Sequence, residues 1–347
     1  MFFKGSKDRT MPSEPTSYNV EKFQFRELHP KVFIGTASDR YAGWIGQIYS
    51  PGRYENRITH RTHKVGKQSF TDAVLPVESV EEYFEHFTVL EIDYTFYRPL
   101  LDKTGKPTES YHVLKQYQNH LHKNDRLILK VPQVVFAQKL LQGGKYSVNE
   151  GFLNPYIFIN QFYKPANDLL GSSLTGFIFE QEYQRKDDRP PVVKMASALD
   201  AFFKAIPPDS RYHIELRTET YLTNPVFEVL KKHGVGQVLS HWTWLPALKN
   251  QWLKSGERCF NKGKETIIRL MTPLGKRYED AYAQAYPFNT IVEGMMQDAM
   301  VAETAELMWK GIKEGVKIYV IINNRAGGNA PMIAQRVAKK FLSLQHH

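Results

Sequence analysis

The chain has 347 residues, of which 42% are hydrophobic, so it is long enough to bury a full core. The 22 Gly and 19 Pro residues exclude collagen-like and low-complexity chains, and the 24% charged and 13% aromatic content argues against intrinsic disorder. A single cysteine, Cys259, excludes an internal disulfide framework and a multi-cysteine metal site, and we expect no disulfide-linked partner. The apolar runs are too short to span a bilayer and no signal peptide is evident, which predicts a soluble, cytoplasmic protein without a membrane partner.

The positive charge is distributed unevenly along the chain. The 46 Lys and Arg residues exceed the 36 Asp and Glu residues, and the formal net charge is +10. Basic residues cluster in 50–67 and 249–277, whereas the charged residues of 76–93, counting His as neutral, are all acidic. Clustered positive charge attracts polyanions and anionic metabolites, so an anionic small molecule or a nucleic acid is the expected partner. The alternative is an ordinary solvated surface.

Eight short segments rich in β-branched and aromatic residues follow one another along the chain, and each predicts a strand. They are 32–37, 89–97, 126–132, 174–181, 211–217, 236–241, 265–271 and 317–324. Helical patterns lie between them, and eight such alternations predict parallel strands with right-handed crossovers. The fold class is therefore α/β, a single TIM-type (β/α)8 barrel, with a doubly wound open sheet as the alternative.

Two features lie outside the regular strand–helix alternation. Residues 1–30 are polar and predict an N-terminal extension outside the core, which leaves 31–347 as the barrel domain. The segments 50–76 and 272–297 predict long βα loops, the first of them a basic insertion. Both would lie at the C-terminal mouth of the barrel, where barrel active sites are found.

Alternation along each strand predicts which side chains point into the lumen. Apolar residues must face the surrounding helices, so Ile214 and Leu216 face outward while Glu215 and Arg217 face inward. The same argument on the other strands predicts the inward residues Glu91, Asp93, Lys130, Arg269 and Asn323, and Glu180 and His241 end their strands. Isolated buried charges are costly, so this polar group predicts either a ligand or catalytic site or a structural network of salt bridges.

The inward residues suggest roles in acid–base chemistry and in anion binding. Glu215 and Asp93 are the candidate catalytic carboxylates, which could divide acid and base roles or hold a divalent metal together with His241. The predicted substrate-binding residues are Lys130, Arg217, Arg269, Asn323 and Asn324. No HExxH, P-loop or nucleophile-elbow motif occurs, which argues against zincin, Walker-type and α/β-hydrolase chemistry.

A glycine-bearing turn follows the eighth predicted strand. Gly327, Gly328 and Asn329 precede a helix that is predicted to begin at Pro331. Backbone N–H groups at a helix N-terminus can bind an anion, and barrels often bind phosphate near the seventh and eighth strands. These residues therefore predict a phosphate site, and the alternative is a tight turn that needs glycine.

Several short motifs occur in a specific order between about 32 and 342. They are IGT at 34–36 followed by Tyr41 and Trp44, Glu91 with TFYR at 95–98, KVP at 130–132, ELR at 215–217, IIRL at 267–270, and NN at 323–324 before GNAP at 328–331. In this order they resemble the YecE-like family, also called domain of unknown function 72. The resemblance implies a TIM-like barrel, adds Tyr41 and Trp44 to the predicted substrate-binding residues, and brings no established reaction.

This sequence departs from the family pattern at Asp39, where a Trp is common, and in the size of the 50–76 insertion. From the residues we expect an enzyme, a hydrolase, lyase or isomerase, that acts on an anionic substrate such as a phosphorylated sugar or a nucleic acid. The alternative is a non-catalytic barrel that binds nucleic acid or a metabolite through its basic insertions.

Overall fold

The computed structural model describes residues 18–142 and 144–346. Their strands are β1 (Val32–Ala37), β2 (Thr59–Val65), β3 (Gln68–Val74), β4 (Val89–Ile92), β5 (Arg126–Lys130), β6 (Lys139–Gln142), β7 (Lys145–Val148), β8 (Leu174–Glu180), β9 (Tyr212–Glu215), β10 (Gly236–His241), β11 (Glu265–Leu270) and β12 (Lys317–Ile322). Eight of them form a closed parallel barrel in the order β1-β12-β11-β10-β9-β8-β5-β4. The predicted TIM-type barrel is confirmed, and the open sheet is not found.

Helices cover the outside of the barrel between successive strands. They are α1 (Val80–His86), α2 (Glu109–Gln118), α3 (Gln133–Phe136), α4 (Pro155–Phe158), α5 (Lys164–Leu170), α6 (Val192–Ala205), α7 (Asn224–His233), α8 (Leu248–Lys254), α9 (Tyr278–Ala285), α10 (Asp298–Lys313) and α11 (Ala330–Ser343). Because parallel strands are covered on both faces, their side chains are buried almost throughout, as in β12 after its exposed first residue, Lys317. No helix in this part of the chain is long and apolar enough to cross a membrane.

The second barrel strand is shorter than the sequence predicts. Strand β4 ends at Ile92, and a 3-10 helix over Tyr94–Phe96 replaces the predicted continuation to residue 97. The Thr95 hydroxyl donates to the carbonyl oxygen of Lys130 at 2.7 Å, which fixes this turn to the neighbouring strand. The two-residue alternation therefore stops at Ile92, and Tyr97, which would face the lumen if the alternation continued to residue 97, is 70% exposed.

The basic insertion at 50–76 contains an antiparallel hairpin, β2–β3, instead of a plain loop. It packs on α9 through Phe70, whose ring centroid lies 4.9 Å from that of Tyr282. The Tyr282 hydroxyl also donates to Asp72 at 3.0 Å. These contacts belong to a small hydrophobic cluster beside the main core, so the hairpin is held against the mouth of the barrel.

The basic and acidic clusters of the sequence meet in space. Arg53 binds Glu82 at 2.6 Å, and Arg57 binds Glu78 at the start of the α1 region. Opposite charges that are separated along the chain thus neutralise each other, and a part of the insertion's positive charge is already paired.

Residues 18–30 differ from the predicted extension outside the core. Phe25 is fully buried, and Val20 and Leu28 are buried as well, so this segment contributes to the hydrophobic core. The Arg26 guanidinium donates to the carbonyl oxygen of Phe87 and to Asp125, both at 3.0 Å. The segment looks polar in the sequence because its apolar residues are separated by polar ones. Each apolar residue nevertheless packs on the barrel by itself, so no continuous apolar run is needed. The rest of the predicted extension, 1–17, lies outside the described residues.

Candidate functional site

The barrel lumen contains a fully buried arginine that is surrounded by carboxylates. Arg269, at the C-terminal end of β11, is 0% exposed. Its Nε and Nη2 atoms donate to the two oxygens of Glu91 at 2.8 and 2.6 Å. Its Nη1 atom donates to Glu180 at 3.0 Å and also to Glu215. Four strands, β4, β8, β9 and β11, supply this group, as the alternation argument requires for inward-facing residues.

Two further cations complete the group towards the mouth. Lys130 Nζ lies 2.7 Å from Glu180 Oε2, and Arg217 Nη2 lies 2.9 Å from the same atom. Arg217 also reaches Glu215 at 3.3 Å. We call these six residues the lumen network: Glu91, Lys130, Glu180, Glu215, Arg217 and Arg269. Its three carboxylates and three cations balance, so the buried group carries no net charge when every member is ionised.

The cations control the protonation of the lumen carboxylates. Burial by itself raises the pKa of the Glu180 carboxyl, but Arg217, Lys130 and Arg269 outweigh it and hold that pKa below its usual range. Burial raises the pKa of the Glu91 carboxyl, and in this case Arg269 and Lys130 do not fully compensate. Glu180 therefore stays ionised at neutral pH and forms the negative centre of the network.

Aromatic rings line the mouth above the network. Lys130 Nζ lies 4.2 Å from the Phe96 ring centroid, and the Arg217 guanidinium lies 5.0 Å from that of Trp242. Tyr183 lies 6.0 Å from Trp242 and 6.1 Å from Trp244, centroid to centroid. We call Tyr183, Trp242 and Trp244 the mouth aromatics; Tyr183 and Trp244 are exposed.

The sequence reasoning missed the mouth aromatics and Phe96. The signal was available in the run HWTW at 241–244, which places two tryptophans directly after a barrel strand. Aromatic residues at the C-terminal ends of barrel strands are positioned to contact a ligand. Strand alternation continued to residue 97 would turn Phe96 towards the helices, and the 3-10 turn after β4 directs its ring to Lys130 instead.

Some buried polar atoms of the mouth have no partner among the described residues. They include Glu215 Oε1, Arg217 Nε and Asn324 Nδ2. Buried polar groups in proteins are almost always hydrogen-bonded, to protein, water or ligand. Glu215 is the informative case, since its other oxygen is held by Arg269 and Arg217 while Oε1 accepts no hydrogen bond from the residues that the structure describes.

Asp93, the second predicted catalytic carboxylate, lies outside the lumen network. It precedes the 3-10 helix, and no side-chain hydrogen bond or ion pair within the described residues includes it. Burial and then the Asp93 carboxylate raise the pKa of the Tyr41 hydroxyl, so Asp93 lies on the side of the mouth near β1. The end of β4 at Ile92 is the physical reason, because Asp93 no longer follows the strand alternation.

Four predicted substrate-binding residues hold loops together in this structure. Trp44 is fully buried, and its Nε1 donates to Asn324 Oδ1 at 3.1 Å. The same oxygen accepts from the N–H of Ala330 at 2.8 Å. Tyr41 packs its ring 4.9 Å from that of Trp44, and Asn323 Oδ1 accepts from the Arg325 N–H at 3.0 Å. The Trp44–Asn324 bond connects the loops after β1 and β12, and the other contacts stabilise each loop separately.

The predicted phosphate site is closed by internal contacts. The N–H groups of Gly327 and Gly328 donate to the carbonyl oxygen of Asn324 at 3.2 and 2.6 Å. Asn329 Oδ1 accepts from the N–H of Met332, and its Nδ2 donates to Phe288. A Cβ atom at Gly328 would lie 2.3 Å from the carbonyl oxygen of Thr290. The glycines therefore allow a tight turn and the close approach of the segment around Thr290, which is the alternative to a phosphate site.

The predicted metal arrangement is not assembled. His241 Nδ1 lies 2.9 Å from the carbonyl oxygen of Thr272, and burial lowers the pKa of its ring. In residues 18–142 and 144–346 no group of three or more His, Cys, Asp or Glu side chains is arranged to hold a metal ion. The lumen carboxylates instead have Arg269, Lys130 and Arg217 as their cations.

Comparisons with known proteins agree with the barrel architecture. The family model "Protein of unknown function DUF72" matches residues 33–346. A DUF72 family protein from Enterococcus faecalis is similar in structure, with a TM-score of 0.56 and 16% sequence identity over 90% of this chain and 95% of that chain. A DUF72 family protein from Thermotoga maritima has a TM-score of 0.49 and 13% identity over 91% of this chain and 99% of that chain.

Among curated proteins no match is found. The family model nevertheless extends over nearly all of the barrel, from β1 to the end of α11. The Enterococcus structure shares the fold over nine-tenths of this chain. The chain therefore belongs to the DUF72 family.

Proposed function

We propose that the chain is an enzyme that acts on an anionic substrate of the phosphorylated-sugar class at the mouth of the barrel. In this proposal Lys130 and Arg217 bind the anionic group, the mouth aromatics contact the ring, and Glu215 transfers a proton. The observation that carries it is Glu215 Oε1, a buried oxygen that has no hydrogen-bond partner among the described residues. The outer cation Arg217 of the same network lies against Trp242, beside the exposed ring of Tyr183.

The exposure of the three cations favours this division of roles. The Arg269 side chain is 0% exposed, whereas those of Lys130 and Arg217 are 10% and 15% exposed. An anion that enters the mouth meets these two cations first, and both already lie beside aromatic faces. The exposed rings of Tyr183 and Trp244 offer apolar surface against which a sugar ring can pack.

The environment of Glu215 suits proton transfer. Glu215 is fully buried, and Arg269 and Arg217 fix one oxygen so that the other has a defined direction. A carboxylate oxygen without a partner in a buried site is a strong acceptor for a substrate hydroxyl. Such a group serves hydrolase, lyase and isomerase reactions alike. Asp93 is the second candidate carboxylate for a substrate that spans the mouth towards β1.

The test is a panel of sugar phosphates, with binding measured by calorimetry and turnover by phosphorus and proton NMR. Glu215→Gln should lower turnover by about 100-fold or more while binding changes little, because the amide keeps the shape and loses the basicity. Arg217→Met should weaken binding by about tenfold or more, the effect of losing a hydrogen bond to a charged group.

Lys194→Met is the matched control, because Lys194 is exposed on α6 and no residue of the lumen network belongs to that helix. It should bind and turn over the same compounds as the wild type. Thermal unfolding of each variant separates loss of function from loss of fold. Absence of binding across the panel, or wild-type turnover in Glu215→Gln, would overturn the proposal.

A further inference from the structure

A second candidate site lies outside the lumen, where the insertion meets the barrel. A cavity of about 390 Å³ opens between β2, the segment before α1, and α2. Three arginines line it, Arg40, Arg57 and Arg61, together with Gln116 and His120. We call it the insertion cavity. We propose that it binds a small phosphate monoester independently of the barrel mouth.

Two of the three arginines form no ion pair within the described residues. Arg57 binds Glu78, which also lines the cavity. Within the described residues, no ion pair and no side-chain hydrogen bond includes Arg40 or Arg61. Arg40 is half-buried, with its guanidinium 6.0 Å from the Tyr117 ring centroid. A half-buried guanidinium that lines a cavity, with no carboxylate of the described residues within ion-pair distance, favours an anionic ligand there.

The neighbouring charged groups compensate only a part of this positive charge. Asp39, next to Arg40 in the chain, accepts a hydrogen bond from the Tyr117 hydroxyl at 2.7 Å. His120 Nδ1 lies 2.7 Å from Glu81 Oε1, so those two groups satisfy each other. Glu78 balances Arg57, and Asp39 attracts Arg40 without forming an ion pair with it, so Arg61 and a part of the Arg40 charge are available to a dianion.

The size and lining of the cavity indicate the class of ligand. Guanidinium groups bind phosphate through paired, geometrically matched hydrogen bonds, and a phosphate monoester carries close to two negative charges at neutral pH. A volume of about 390 Å³ exceeds the need of phosphate alone and falls in the range of small-molecule sites. Leu75, Pro76 and Val77 also line the cavity and would contact the organic part.

The insertion itself creates this site. Arg57 and Arg61 come from the segment 50–76, and none of the lining residues belongs to the lumen network. The site is therefore separate from the proposed catalytic mouth, and substitutions at different residues test the two proposals. The large insertion, which exceeds what the family resemblance implies, gains a ligand-binding role.

The experiment is a calorimetric titration with inorganic phosphate and with glycerol phosphate at about pH 8, where both are largely dianions. Arg61→Met and Arg40→Met should each weaken binding by about tenfold or more. Arg61 is exposed on β2, so its variant is expected to fold. Lys67→Met is the matched control, because it removes the same charge from the turn of the same hairpin but not from the cavity.

Arg217→Met separates this site from the mouth, since it removes a lumen cation and should leave binding at the insertion cavity unchanged. Wild-type affinity in Arg61→Met would overturn the proposal. Equal weakening by Lys67→Met would also overturn it, because diffuse attraction would then explain the binding. Loss of binding in Arg217→Met alone would assign the anion to the mouth, and tighter binding of succinate than of glycerol phosphate would overturn the ligand class.

Discussion

Asp39 is a buried carboxyl group at the end of β1. It accepts from the Tyr117 hydroxyl at 2.7 Å, and its backbone oxygen accepts from the Tyr49 hydroxyl at 2.8 Å. Its Oδ2 atom has no partner among the described residues. Burial raises the pKa of Asp39 to about 6, because the free-energy cost of removing the charged form from water exceeds the stabilisation of that form by Arg40 and Tyr117.

This raised pKa makes a prediction about stability and pH. The unfolded chain ionises Asp39 near pH 4, so between about pH 4 and 6 the folded chain binds the proton more tightly and its stability falls as pH rises. Asp39→Asn removes this penalty, and the amide can still accept from Tyr117. The difference in unfolding free energy between Asp39→Asn and the wild type should be more favourable to the variant at about pH 8 than at about pH 4, by roughly 2–3 kcal/mol.

Urea denaturation of wild type and variant at the two pH values measures the Asp39 effect. Asp187→Asn is the control, because Asp187 is exposed and should show the same small effect at both pH values. If Asp39→Asn changed stability equally at low and high pH, the carboxyl would not titrate in this range.

The loop after β12 shows how an element depends on a single backbone position. Gly328 has a φ of +110°, and a Cβ atom there would lie 2.3 Å from the carbonyl oxygen of Thr290. Gly52 also has a positive φ, +79°, but a Cβ atom there would have no neighbour within 4 Å. A comparison of alanine substitutions at the two glycines therefore separates the cost of backbone strain from the cost of steric overlap.

Gly52→Ala should lower the free energy of unfolding by about 1 kcal/mol, the conformational cost alone. Gly328→Ala should lower it by about 2–5 kcal/mol, because overlap with the 290–292 segment adds to that cost. Thermal or urea unfolding of both variants measures the difference. Equal effects would show that the segment over Gly328 moves aside freely.

The elements also show where sequence reasoning succeeds and fails. The eight barrel strands were predictable, because buried parallel strands read as apolar runs, and alternation placed Lys130, Glu215 and Arg269 in one lumen. Alternation gave no sign that β4 ends at Ile92, since the 3-10 turn after it uses the same residue types. Loop residues were the least predictable: Asn324 binds Trp44, 280 positions away, and such a partner leaves no local pattern.

At the scale of the whole molecule, the lumen network connects strands β4, β5, β8, β9 and β11 through ion pairs. Arg269→Met would leave three carboxylates with two cations in a buried site. We expect a loss of about 3–5 kcal/mol of unfolding free energy, the range for breaking a buried ion pair on one side.

Arg277→Met is the matched control, because Arg277 pairs with Asp280 on the surface, with both side chains more than half exposed. Its effect should stay below about 1 kcal/mol. Urea denaturation at neutral pH measures both variants. A loss in Arg269→Met as small as in Arg277→Met would mean that water reaches the lumen carboxylates.

The neutrality of the lumen network also bears on how this barrel can diverge. Removing any one of the six charges leaves an odd charge in a buried group, whereas removing one carboxylate together with one cation restores the balance. Descendants of this sequence can therefore change the lumen network readily only by replacing a carboxylate and a cation together. A sequence in which only one of the two has been replaced is the unstable one. Invariance of Glu91 and Arg269 among relatives would follow from this constraint even if neither residue ever touched a substrate.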